Sequence, residues 1–361
     1  MKPACDDLLG VLIDPRHMAM LDLAAWDRLL PQARQAGLLS RLALQAADLR
    51  LTPPAPVAAW FQGARSVAER QLRAVGWEAR KLDQALARLG HPVLLLKGAA
   101  YAVADLPPAR GRIFSDIDIL LPKAALEQAE GALRLHGWHG HHHSAYDQRY
   151  YRRWMHELPP LVHIRRQTTL DVHHNLLPET ARLHTHPQKI IAAARPLPGF
   201  QVLRLPCLAD LALHSATHLF HEGEWRHGLR DLVDLDALLR HGALQADWWD
   251  GLWRRARELR LEQPLALALR YAQRLLRTPV PDTLLEAAQA CHAKPLWPLR
   301  DALFMRGFGA FHGACHRPGQ ALAEFALFVR AHALRMPPHL LLPHLGYKAW
   351  LALRGAEPET S

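Results

Sequence analysis

The stretch Val93-Leu-Leu-Leu-Lys-Gly-Ala-Ala-Tyr-Ala-Val-Ala-Asp-Leu-Pro-Pro-Ala-Arg-Gly-Arg-Ile-Phe-Ser-Asp-Ile-Asp-Ile-Leu-Leu121 decides how the rest of the chain is read. An apolar run, Val93 to Leu96, breaks at Lys97-Gly98 and is followed by a short Ala-rich helical segment. After a Pro-Pro-Ala-Arg-Gly loop comes a second apolar strand carrying Asp116 and Asp118. Side chains alternate across a strand, so carboxylates at i and i+2 project from one face, while Ile117 and Ile119 are what a buried strand requires. Two parallel carboxylates at the end of a buried strand repel each other unless a cation lies between them. Hard oxygen donors in that arrangement suit Mg²⁺, which keeps other positions for water and substrate phosphates.

Further along, Leu161 to Ile164 and Thr169 to His173 predict two short strands joined by Arg165-Arg166-Gln167-Thr168, a spacing suited to a β-hairpin. Leu170 and Val172 face one way, so Thr169, Asp171 and His173 face the other. Asp171 is thus a third candidate carboxylate.

This arrangement of strand, glycine turn, helix and Asp-x-Asp strand resembles the DNA polymerase β-like nucleotidyltransferase superfamily. Leu96-Lys97-Gly98-Ala99, followed by Arg112, Ser115, Asp116, Ile117, Asp118 and Ile119, resembles the family described as uncharacterised nucleotidyltransferase. It is more distantly similar to abortive-infection nucleotidyltransferase toxins. Where the superfamily has Gly-Ser at the turn, this chain has Lys97-Gly98-Ala99, and Lys97 offers charge in place of the serine contact.

The resemblance implies a metal-dependent transfer of a nucleoside monophosphate from a triphosphate, with Mg²⁺ or Mn²⁺ held by Asp116, Asp118 and Asp171. Two ions so held align an acceptor oxygen with the α-phosphorus and neutralise the leaving pyrophosphate. Lys97 and Arg112 are candidates for the triphosphate, Gly98 permits close backbone approach, and Ser115 precedes the acids. His173 is placed to orient Asp171. The acceptor is open among RNA (a tRNA end, as in the toxin relatives), a protein side chain and a small molecule. Two other readings stand beside this one: a non-catalytic nucleotide-binding regulatory or interaction protein that keeps the fold, and a helical nucleic-acid-binding protein.

Around this core the chain reads as helical. Val57 to Leu89 predicts one long amphipathic helix, ended by Gly90-His91-Pro92. The fold class expected is α+β. It comprises an N-terminal helical region (1–90), a nucleotidyltransferase core of mixed sheet flanked by helices (91–177), and a mostly helical C-terminal domain (178–361). At 361 residues, half of them apolar, the chain can bury such a core.

The net charge of +10 fits a polyanionic partner, although the basic residues are scattered rather than blocked. From Phe325 to Ala356 there is no acid, and Arg330, Arg335, Lys348 and Arg354 make peripheral contact with an anionic surface an open reading against a simple helical cap. Four cysteines without CxxC spacing argue against a zinc ribbon or disulfide framework. No uncharged apolar run reaches the roughly eighteen residues a membrane helix needs, and acids stand where a signal peptide would be basic, so a cytoplasmic location is expected.

Histidine is abundant, at 24 residues. His139 and His141 to His143 sit in a Gly-broken loop where neighbours cannot all converge on one ion. His214, His218 and His221 share a helix face that reads first as structural; the family resemblance extends over it to Trp225, Arg226, Asp231 and Asp234 as a wall of the cleft. His156-Glu157 is within reach of the core but reads as structural.

Overall fold

The computed structural model describes residues 5–140, 155–221, 223, 225–310, 312–315, 317–337 and 339–341. The histidines 141–143, the aromatic stretch 146–154 and the basic residues beyond 341 lie outside them.

The long helix runs over Ala55–Leu86. Val57, Phe61, Ala68, Val75, Ala79, Leu82 and Leu86 are buried along it, at the spacing of one helical stripe. Its 32 residues extend about 48 Å, enough to serve two separate packing sites. Val57 and Phe61 pack in one apolar core with the N-terminal helices. Val75 to Leu86 pack in a second core against the sheet.

Among the described residues seven strands form one mixed sheet: β1 (Val93–Leu95), β2 (Asp116–Leu120), β3 (Trp138–Gly140), β4 (Leu161–His163), β5 (Thr169–His173), β6 (Arg195–Pro196) and β7 (Leu203–Leu205). Their order is β3-β4-β5-β2-β1-β7-β6. β2 runs parallel to β5 and β1 parallel to β7; the other neighbours are antiparallel. The predicted hairpin is β4–β5. β6 and β7 lie beyond Pro178, in sequence that reads as mostly helical. They are two and three residues long, too short to show alternation. β7 is secured by Asp83 on the long helix, whose carboxylate accepts hydrogen bonds from the amides of Gln201, Val202 and Leu203 at 2.9–3.1 Å.

The two faces of the sheet belong to different cores. Val93, Leu95, Ile117, Ile119, Leu170 and Val172 pack toward the long helix and the Leu126–Leu135 helix. Leu94, Leu96 and Leu120 point the other way, into a core shared by the N-terminal helices and the C-terminal ones. The Leu208–His221 helix is the centre of that second layer, buried along most of its length. Around Phe220 cluster Trp225, Tyr271, Phe304 and Phe308, with ring centroids 5.1 to 6.4 Å apart, and they join three helices in one aromatic contact. Among the described residues no helix is long and apolar enough to cross a membrane. Among the described residues, Cys207, Cys291 and Cys315 form no disulfide.

Candidate active site

Parallel pairing of β2 with β5 sets the acids in register. Asp116 stands opposite Thr169, and Asp118 opposite Asp171. Residues directly opposite share a face, so Asp116, Asp118, Asp171 and His173 all lie on the side away from Ile117 and Ile119. There the helical layer leaves a cleft of about 330 Å³. The three acids, Lys97, Arg112, Ser115 and His173 line it from the sheet side.

Asp118 is the hub of this floor and is 3% exposed. Lys97 Nζ donates to its Oδ1 at 3.2 Å, and His173 Nε2 lies 3.1 Å from the same oxygen. Burial alone would raise the Asp118 carboxyl. Lys97 and His173 outweigh burial and hold the group well below the usual carboxylate range. Lys97 is delivered here by its own backbone: it opens the Lys97–Val103 helix with φ of +41°, a value uncommon outside glycine.

Asp171 has the opposite environment. Its Oδ1 is buried without a hydrogen-bond partner among the described residues. Burial, then the charges of Asp118 and Glu157, push its carboxyl up to about 7. An orphaned buried oxygen beside two further carboxylates is what a divalent cation would satisfy, so Asp116, Asp118 and Asp171 fit a hard metal ion. Ser115 Oγ donates to Asp116 Oδ1 at 2.9 Å.

Arg112 lines the cleft but is already engaged. Its guanidinium meets Asp234, which also accepts from Arg41 Nη2 at 2.7 Å. Arg41 donates in turn to Pro108 O at 2.8 Å. Asp234 is thus a buried node joining the N-terminal helices, the loop before β2 and the C-terminal layer. Arg112 also lies over the Tyr101 and Phe114 rings, at 5.8 and 6.0 Å. Gly98 lets both side chains come close, since a Cβ there would stand 3.0 Å from Phe114 and 3.1 Å from Arg112 Nε and press on them.

His173 does not orient Asp171. Its Nε2 faces Asp118, and its Nδ1 lies 3.1 Å from Glu157 Oε2. Held between two carboxylates, its imidazole is raised above the usual range despite burial. His156 and Glu157, read as structural from the sequence, line the cleft. Glu157 is placed by an antiparallel bridge to His173, a long-range pairing that leaves no periodic signal. The only hint in the sequence was an acid beside a histidine.

The opposite wall comes from the C-terminal layer. Ser215, His218, His227, Arg230, Asp231 and Asp234 line it, together with Arg335. Arg230 donates to Asp231 Oδ1 at 2.8 and 3.0 Å. Burial would raise Asp231, but Arg230 and Arg112 bring it below the usual range. Of the three helix-face histidines, His218 reaches the cleft. His214 is buried and held neutral by burial and Lys97. His221 turns back to Thr217 O at 2.9 Å. Arg330 turns inward as well, donating to Phe220 O at 2.7 Å, so with Arg335 two residues of the basic C-terminal stretch serve the interior.

A cleft with three acids on paired parallel strands, a cationic turn and a polar helical wall is equipped to hold a polyanionic substrate through metal ions. Neither the curated proteins nor the solved structures contain a significant match to this chain. One family model does match, over residues 22–277, a span that takes in all seven strands, the acids and most of the helical wall. On that match, which extends over more than half of its length, the chain belongs to the uncharacterised nucleotidyltransferase family.

Proposed function

We propose that the chain transfers a nucleoside monophosphate from a nucleoside triphosphate to an acceptor and releases pyrophosphate. The observation that carries this reading is the register of β2 and β5, which brings Asp118 against Asp171 with Asp116 on the same face. Asp116, Asp118 and Asp171 would hold Mg²⁺ or Mn²⁺, which when bound neutralises charge on the triphosphate and acidifies the acceptor hydroxyl.

The chain's own groups divide the remaining work. Lys97, at the turn, attracts the triphosphate, and in its absence compensates Asp118. Gly98 leaves the room that lets Arg112 and Phe114 close the floor beneath Tyr101. Arg112, fixed on Asp234, is a steady source of positive potential rather than a mobile clamp. As the acceptor oxygen bonds to the α-phosphorus and the bond to the β-phosphate oxygen breaks, the Asp171 carboxylate takes the acceptor's proton.

A non-catalytic nucleotide-binding reading has one observation in its favour: Lys97 and His173 both already engage Asp118 Oδ1. The two readings part in one experiment. The protein is incubated with each α-labelled triphosphate and Mg²⁺ or Mn²⁺, and label is sought in RNA, protein and small-molecule fractions. Incorporation that disappears in Asp118→Asn is expected. Tight triphosphate binding with no incorporation into any fraction favours the non-catalytic reading.

A further inference from the structure

The cleft also holds a group of donors different in kind from the three aspartates. His156 and Glu157 precede β4, on a segment that pairs with β5. The Leu158 amide donates to Val172 O at 2.9 Å, and the His174 amide donates to His156 O at 2.8 Å. These bonds set Glu157 opposite His173 and bring the His156 and His173 rings to a centroid distance of 5.3 Å, inclined by 30°.

His173 Nδ1 is 3.1 Å from Glu157 Oε2, and His156 Nε2 is 4.0 Å from it. One ligand atom from each of the three residues lies within 4.8 Å of the others. Donors around a tetrahedral ion at roughly 2.0–2.1 Å stand about 3.3 Å apart, inside the observed range. Both imidazoles are buried, so small rotations of held rings would complete the set.

The other nitrogen of His173 supplies the second observation. Nε2 faces Asp118 Oδ1 at 3.1 Å. Metal-bound histidines commonly donate their remaining N–H to a carboxylate, which fixes the tautomer and the ring plane. Nδ1 is thereby left to coordinate. Two imidazoles and one carboxylate select a borderline ion of the zinc class, whereas all-oxygen sites suit magnesium.

We propose that His156, Glu157 and His173 form a zinc-class metal site, distinct from the aspartate site, with its remaining position open to the cleft. The ion would tie the segment before β4 to β5 and hold His173 Nε2 against Asp118. His156, Glu157 and His173 would then be positioning residues for that aspartate. The site does not depend on nucleotidyl transfer being the activity.

The full chain, stripped with chelator and kept in excess Mg²⁺, is titrated with Co²⁺ while visible absorption is recorded. One equivalent is expected, with the bands of a four- or five-coordinate nitrogen-containing site, displaced by Zn²⁺ but not by further Mg²⁺. Asp116→Asn should retain the bands. His156→Gln and Glu157→Gln, with folding checked by circular dichroism, should each weaken Co²⁺ binding by roughly tenfold or more. Absent bands, bands lost to Mg²⁺, or bands unchanged in both variants would overturn the site and leave His173 a plain ionic bridge. Should either variant fail to fold, zinc-edge X-ray absorption of the parent decides. A shell with two imidazoles supports the site, and one of oxygen alone overturns it. Label transfer with Mg²⁺ on the same preparations reads the nucleotidyltransferase proposal separately.

Discussion

Replacing Asp171 by Asn in chelator-treated protein should stabilise the fold above neutral pH. The Asp171 carboxyl is pushed from its ordinary 3.8 to about 7, first by burial and then by Asp118 and Glu157. In the unfolded chain it releases its proton near the ordinary value; in the folded chain it does so only near 7. Between those values the folded state holds more protons, so stability falls as pH rises through the window and levels off above it. The gap is worth about 4 kcal/mol at most. Solvent in the open cleft and relaxation of neighbours reduce it, and about 2–4 kcal/mol is expected. Asn has nearly the same shape and cannot ionise. Urea unfolding at pH 4 and pH 8 in chelator measures the effect. The variant's advantage should be below about 1 kcal/mol at the lower pH and grow to the full value at the higher. Divalent cation should then stabilise the parent more than the variant, because it binds only the folded parent's intact acid set. An Asp171→Asn protein no more stable than the parent at pH 8 would refute the account of this carboxylate as an unsatisfied cation ligand.

Three further outcomes follow from particular contacts. Asp234→Asn leaves Arg41 and Arg112 buried against a neutral amide and should cost about 3–5 kcal/mol in denaturant unfolding. The lower end is expected because Asp236 and Asp231 still act on the two arginines, and a loss below about 1 kcal/mol would show that the node is not a buried charge pair. Gly111→Ala combines a φ of +70° with a Cβ placed 2.6–2.9 Å from backbone atoms of Ser40 and Arg41. Backbone cannot swing aside, so about 2–4 kcal/mol should be lost, and an unchanged unfolding midpoint would contradict the close approach. Lys97→Ala should weaken triphosphate binding about tenfold more than monophosphate binding in calorimetric titration, while equal losses would make Lys97 a partner of Asp118 only.

The sequence made the acids legible because their signal is local. Asp116-Ile117-Asp118 and Thr169-Leu170-Asp171-Val172 each carry a period of two with an unambiguous apolar face, which sets the side the acids take. The long helix was legible for the same reason, its stripe of alanine, leucine and valine running for many turns. The partner of Arg112 is not legible, because a loop arginine next to a glycine carries no sign of the carboxylate that claims it. The same carboxylate pairs with Arg41 across 193 positions. His156 and Glu157 were undervalued for a related reason: their neighbourhood is made by pairing to β5, while their own segment has no periodicity. β6 and β7 were missed because strands this short depend on neighbours, here Asp83 and β1, rather than on their own pattern.

The division of the sheet between two cores bears on synthesis as well as on the finished molecule. The core behind Ile117 and Ile119 draws mainly on residues 75–211, with Leu238, whereas the core on the acids' side joins residues 8–61 to residues as late as Leu327. Chains emerge from the ribosome N-terminus first and compact regions fold as they become available. The first helices therefore wait, with apolar faces uncovered, until the last of their partners has been made. The cleft floor can form before its helical wall exists, but the enclosed cleft cannot. Nascent or truncated chains should thus expose apolar surface and engage chaperones, and the enclosed cleft should arise only late in translation.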